Sequence, residues 1–271
     1  MGCWRNNVLA LVFAPILLLA GCALSQSGEK AAGDASPLPV VGLADAQRRA
    51  DIRLQLALDY YELAQFSVAV EKANLALQAR PDLLDAYSVR ALAYVALKQS
   101  GLAERDFRRT LELAPDNPDL ANNYGWFLCG DAVEHRGDEA IRDLEQAAEH
   151  QSYGSPAKAL NNAGRCSLKL GNAAAAERYF VRALQFESTS ASAHLNLSKL
   201  YFDRAEFEKA RRHISLAAKN DILTEDALWL AIRIERKLGN QAAENDLAVQ
   251  LRRRYPSSSE YAAYQRGAFD E

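Results

Sequence analysis

The chain has 271 residues, of which 49% are hydrophobic and 25% are charged, and this balance excludes a globally disordered protein. Its 49 Ala and 38 Leu, against 11 Val and 7 Ile, favour helices and argue against a sheet-rich enzyme fold. The formal net charge is −3, whereas a dedicated nucleic-acid binder shows an excess of basic residues.

The first residues of the chain predict export and lipid anchoring. Arg5 precedes an apolar run over residues 8–20, which is too short to span a bilayer and ends before Gly-Cys. The ending Leu-Ala-Gly-Cys resembles the bacterial lipobox, which implies that residues 1–21 are a signal peptide and that Cys22 carries the lipid. Because Ala23 and not Asp follows this cysteine, the resemblance favours the outer membrane, facing the periplasm. An ordinary signal peptide that contains a cysteine is the alternative.

Residues 22–44 predict a flexible tether between the lipid and the folded part of the chain. The segment is rich in Ser, Gly, Pro and Ala and has no hydrophobic period. About 20 residues of such a chain have a reach on the order of 25 Å, so the folded part can stand away from the membrane. We expect the folded part over 45–271, with residues 257–271 as a capping helix.

An internal repeat runs through residues 45–271 and predicts an all-α fold. Pro81 and Pro115 lie 34 residues apart, and this period is typical of the tetratricopeptide repeat (TPR), a helix–turn–helix unit. Small and aromatic residues recur in phase with the prolines, as Ala91 and Tyr94 do in the second unit. About six such units predict a right-handed solenoid with an extended concave surface. A helical bundle with a coincidental period is the alternative.

The sequence contains no recognisable catalytic or metal-binding constellation. Its four histidines have no Ser or Cys partner at a recognised spacing, and it lacks a Gly-rich phosphate loop, His-Glu-x-x-His and Cys-x-x-Cys. The charged runs 104–109 and 252–254 are interpreted as solvated helix faces. We therefore expect no enzyme activity, metal, cofactor, nucleic acid or small-molecule substrate.

Two cysteines fall in the predicted solenoid. Cys129 and Cys166 lie near the ends of the first helices of units three and four, which are neighbours in a solenoid. Because the bacterial envelope is oxidising, a disulfide between them is expected, and it would close a loop of 37 residues (166 − 129). Two buried free thiols are the alternative.

The predicted concave surface begins with an apolar floor and continues with asparagines. The floor consists of groove residues of units one and two: Leu54, Leu58, Tyr61, Leu92 and Val95. A contiguous exposed apolar patch marks a partner site, unless the linker or an N-terminal helix covers it. Asn122 and Asn161 occupy equivalent positions in units three and four, where their amides can either hold a bound backbone or brace neighbouring helices.

The stretch Asn-Asn-Tyr-Gly-Trp-Phe-Leu-Cys at 122–129, followed by Leu-Asn-Asn-Ala-Gly-Arg-Cys at 160–166, resembles the type IV pilus biogenesis and stability lipoproteins of the PilF/PilW family. The resemblance extends from about Ala50 to the C-terminus and departs from the family pattern over 130–137. It implies a pilotin, an outer-membrane lipoprotein that binds the pilus secretin subunit and promotes its outer-membrane localisation and multimer assembly, as pilus biogenesis and twitching motility require. The alternative is a TPR scaffold lipoprotein of another envelope machine, which either inserts outer-membrane proteins or uses the chain as an adaptor for peptidoglycan enzymes.

Overall fold

The computed structural model describes residues 40–130, 136–220 and 223–269, and within these ranges it contains thirteen helices and no β-strand. The helices are α1 (Val40–Glu62), α2 (Phe66–Ala79), α3 (Leu84–Ala96), α4 (Ser100–Leu113), α5 (Pro118–Leu128), α6 (Gly137–Glu149), α7 (Pro156–Lys169), α8 (Ala173–Phe186), α9 (Ala191–Asp203), α10 (Phe207–Asn220), α11 (Glu225–Lys237), α12 (Gln241–Arg254) and α13 (Ser259–Arg266). The predicted signal peptide and Cys22 lie outside the described residues. None of the helices in the described ranges is both long and apolar enough to cross a bilayer.

The first twelve helices form six consecutive pairs, from α1–α2 to α11–α12. Each helix packs against its partner in the pair, and the second helix of each pair also packs against the first helix of the next. First helices of neighbouring pairs touch as well, as α5 and α7 do, and α13 packs against α11 and α12. This arrangement confirms the prediction of an all-α TPR solenoid, in which no unit buries its apolar face alone.

Helix α1 begins at Val40, five residues before the predicted beginning of the solenoid at 45. Residues 40–44 therefore belong to a helix and not to the tether. Gly42 costs about 1 kcal/mol relative to alanine inside a helix. The long run of helix-favouring residues that follows, anchored by the fully buried Ala50, outweighs this cost.

Glycines lie where the two helices of one unit approach most closely. A Cβ atom added at Gly164 in α7 would lie 2.4 Å from Cε1 of Phe180 in α8. At the equivalent position of the preceding unit, a Cβ atom on Gly125 would lie 2.8 Å from Cγ of Leu144. Both Phe180 and Leu144 are fully buried, so they have no free space into which to move. The recurrence of small residues in the sequence thus reflects direct helix-to-helix contact.

We expect Gly164→Ala to lower the free energy of unfolding by about 1–3 kcal/mol, because the new methyl group overfills a packed core. The matched control is Gly101→Ala in α4, where an added Cβ meets no atom within 4 Å. Alanine there replaces a poor helix former, so stability should stay the same or rise by up to about 1 kcal/mol. Urea unfolding followed by circular dichroism measures both, and equal effects of the two substitutions would contradict the explanation.

Candidate functional site

The predicted groove floor lies on α1 and α3, the first helices of the first two units, which are in contact with each other. Leu58 is 37% exposed, while the other four floor residues are half-buried. Leu54 and Tyr61 rest on the same buried residues, among them Val89. Leu92 and Val95 rest on a second buried cluster. The structure thus places the five residues as two apolar groups on adjacent helices, each partly open to solvent.

The two predicted groove asparagines brace neighbouring units instead of lining the groove. Asn162 Nδ2 donates to Asn122 Oδ1 at 3.0 Å, and Asn196 Nδ2 donates to Asn161 Oδ1 at 2.9 Å. Asn122 is 1% exposed and Asn161 is 8% exposed. Because these amides are buried and their acceptor oxygens are bonded to the next unit, we correct the assignment of Asn122 and Asn161 from partner binding to unit-to-unit bracing.

A cavity of about 530 Å³ opens where the C-terminal ends of α3, α5 and α7 meet. Cys129 and Cys166 form a disulfide in its wall, with Cα atoms 5.6 Å apart, and so connect α7 to the end of α5. Val95, a floor residue, lines the same cavity. Other residues of its wall were not predicted as site residues: Lys98, Trp126, Phe127, Arg165 and Lys169.

The signal for Trp126 was present in the sequence. Two steps of 34 residues lead from Leu58 through Leu92 to Trp126, so all three occupy the same groove position of successive units. Trp126 is 37% exposed, which is unusual for so large an apolar side chain and matches the exposure of Leu58. The apolar surface predicted for units one and two therefore extends into unit three.

A buried ion pair connects the two helices of unit two. Arg90 of α3 donates to both carboxylate oxygens of Asp106 in α4, at 2.6 and 2.8 Å, and its third nitrogen donates to Asn74 Oδ1 of α2 at 2.6 Å. Burial disfavours the charge of Arg90, but the hydrogen bond and charge of Asp106 outweigh it and raise the pKa of Arg90. The ion pair lies within unit two, and the hydrogen bond to Asn74 connects it to unit one. It also contradicts the prediction that the run 104–109 is wholly solvated, since Asp106 is only 1% exposed.

Two of the four histidines meet in unit five. The Nδ1 atoms of His194 and His213 lie 2.9 Å apart, and His194 Nε2 donates to the carbonyl oxygen of Ser188 at 3.1 Å. One of the two facing Nδ1 atoms carries the proton of this hydrogen bond and the other accepts it. Burial, followed by the charge of His194, lowers the pKa of His213 to about 4, so the ring of His213 is neutral near pH 7. In the part of the chain that the structure describes, no cluster of three or more His, Cys, Asp or Glu could hold a metal ion.

Comparisons with known proteins agree with this architecture. The tetratricopeptide-repeat family profile matches residues 84–117 and 157–189. The chain is 28% identical to the type IV pilus assembly protein PilF of Pseudomonas aeruginosa over 256 aligned residues. This alignment covers 94% of the chain and 97% of PilF. It is also similar to the crystal structure of PilW, described as a widely conserved type IV pilus biogenesis factor. The superposition on PilW gives a TM-score of 0.69 with 30% sequence identity, and it covers 80% of this chain and 98% of PilW. A structure of Pseudomonas aeruginosa PilF has 27% identity and a TM-score of 0.66 over 83% of this chain and 99% of that one.

Proposed function

Since the chain belongs to the family of type IV pilus biogenesis proteins built from tetratricopeptide repeats, we propose that it is a pilotin for the pilus secretin. In this role it binds a secretin subunit, brings it to the outer membrane and promotes assembly of the secretin multimer for pilus biogenesis and twitching motility. The observation that carries the proposal is the partly open apolar surface on α1 and α3, because a soluble monomer gains nothing from leaving such a surface uncovered. The function is one of binding, with no catalytic step, cofactor, nucleic acid or small-molecule substrate.

The proposed anchor and tether fit this role physically. An acylated Cys22 would hold the chain at the outer membrane, where each buried methylene contributes about 0.8 kcal/mol. The residues between Cys22 and the beginning of α1 at Val40 would give the folded part a reach on the order of 25 Å. A partner bound within that reach is concentrated near the membrane, and a higher local concentration favours multimer assembly by mass action.

The groove assignment is tested by Leu58→Glu, which places a charge in the centre of the apolar floor. Binding of the purified secretin subunit to the full chain in detergent, measured by titration calorimetry, should fall below detection, because a carboxylate cannot be buried there without a partner. Helicity should not change, since Leu58 is already 37% exposed. The matched control is Val181→Glu on α8, which is 43% exposed and lies outside the groove. Undiminished affinity in Leu58→Glu would refute the floor as the binding site.

The pilotin role itself is tested by deleting the gene and probing membrane fractions for the secretin on SDS gels without reduction or strong heating. We expect loss of the SDS-resistant multimer, with monomer left behind or mislocalised. An unchanged multimer in the outer membrane would remove the pilotin role. The alternative would then be a scaffold for another envelope machine, such as outer-membrane protein insertion or peptidoglycan-enzyme adaptation.

A further inference from the structure

The cavity between α3, α5 and α7 combines positive charge with apolar walls. Lys98, Arg165 and Lys169 line it, and no Asp or Glu is found among its described lining residues. Trp126, Phe127 and the disulfide supply the apolar part. At about 530 Å³ it falls within the size range of sites that enclose a ligand group.

The charges of this cavity differ from those elsewhere on the solenoid. Arg90, Arg136 and Arg204 each contact a carboxylate of a neighbouring helix or turn at 2.5–2.6 Å. Lys98 and Arg165, in contrast, form no ion pair or side-chain hydrogen bond with any residue in the described ranges. Lys169 also lines the cavity, and its Nζ donates to the carbonyl oxygen of Cys129 at 3.2 Å. Lys98 and Arg165 therefore offer two cationic groups that are suited to an incoming anion.

We propose that this cavity is a docking site for a segment of a protein partner in which an aromatic or other apolar side chain is flanked by carboxylates. The apolar side chain packs against Trp126 and the disulfide, and a carboxylate accepts hydrogen bonds from the fork of Arg165. Tryptophan and arginine are also the residues that most often dominate the energy of protein interfaces. The inference does not depend on the identity of the pilotin's partner.

A polypeptide segment fits this surface better than a free anion. The cavity is continuous with the groove floor through Val95, so its apolar wall extends along the concave side over units two to four. A small anion would bind the cationic side chains but leave Trp126 and Phe127 exposed to water. An extended peptide can cover both, because alternate side chains of an extended chain face opposite sides and place acidic and apolar groups at regular distances.

The test is selection of a random peptide display library on the immobilised full chain in detergent. We expect the recovered peptides to carry Asp or Glu next to an aromatic or aliphatic residue. A synthetic copy of the most frequent peptide should bind about tenfold or more weakly to Arg165→Glu, because the charge reversal replaces an attraction with a repulsion. Its affinity should also fall with added salt.

Two control variants separate the possible outcomes. Arg178→Glu makes the same charge change at an exposed position of α8 outside the cavity and should leave peptide affinity unchanged. Leu58→Glu lies outside the cavity and should also leave it unchanged, so this site and the proposed secretin floor can fail separately. Recovered peptides without acidic enrichment, affinity that survives Arg165→Glu, or competition by inorganic phosphate alone would each overturn the proposal.

Discussion

Replacing Asp106 with alanine is expected to lower the free energy of unfolding by about 3–5 kcal/mol, because it leaves the guanidinium of Arg90 buried without its counter-charge. The side chains of Arg90 and Asp106 are 12% and 1% exposed, so water cannot replace the lost carboxylate. The two hydrogen bonds between them, at 2.6 and 2.8 Å, are lost together. Urea unfolding at pH 7, followed by circular dichroism, measures the change.

The matched control for Asp106→Ala is Glu112→Ala on the same helix. Glu112 pairs with Arg109 at 2.9 Å, but their side chains are 64% and 45% exposed, and such pairs contribute at most about 1 kcal/mol. A double variant that also carries Arg90→Met should recover part of the loss, because it removes the uncompensated charge. A loss for Asp106→Ala no larger than that for Glu112→Ala would show that the buried pair does not hold the two helices of unit two together.

Removing the disulfide is expected to cost about 3–4 kcal/mol. The disulfide closes a 37-residue loop and so lowers the conformational entropy of the unfolded chain. The double variant Cys129→Ala/Cys166→Ala restores this entropy, which stabilises the unfolded state relative to the folded one. Cys166 is fully buried in the native state, so the lost sulfur atom also leaves a small void, which adds to the cost. The measurement is again urea unfolding, with the oxidised chain as reference.

Reduction provides the control for this variant. Adding a thiol reductant should destabilise the parent chain by a similar amount and leave the double variant unchanged. Counting free thiols in oxidised, unfolded protein gives an independent check, because residues 129 and 166 should then contribute none. Two titratable thiols at these positions, or equal stability of parent and variant, would contradict the expected role of the bridge.

The fold could be predicted because the repeat period records a physical constraint. Gly125 and Gly164 occupy equivalent positions at which a Cβ atom would strike the partner helix, and this position recurs visibly in the sequence. The beginning of α1 at Val40 could not be predicted in this way. It depends on the energy of the whole helix, whereas the sequence around Gly42 locally looks like that of a linker.

The polar parts of the site were less predictable, because their partners come from other helices. Repeat position places Asn122 and Asn161 on the correct helices, but only the packing of the next unit shows that Asn162 and Asn196 bind their oxygens. Asp106 likewise looks solvated in its charged run until Arg90 is placed beside it. The cavity could not be predicted for a related reason, since its wall combines residues of α3, α5 and α7, which belong to three different units.

The contacts along the solenoid also have a consequence for how the chain acquires its structure. Substantial contacts join only helices that are adjacent or next but one along the chain. Proteins with such short-range contacts fold fast, and in a chain that emerges N-terminus first each pair can fold on the one before it. The surface on α1 and α3 can then be complete before the last units have emerged. The bridge can form only later than this surface, because Cys166 belongs to unit four and emerges 37 residues after Cys129.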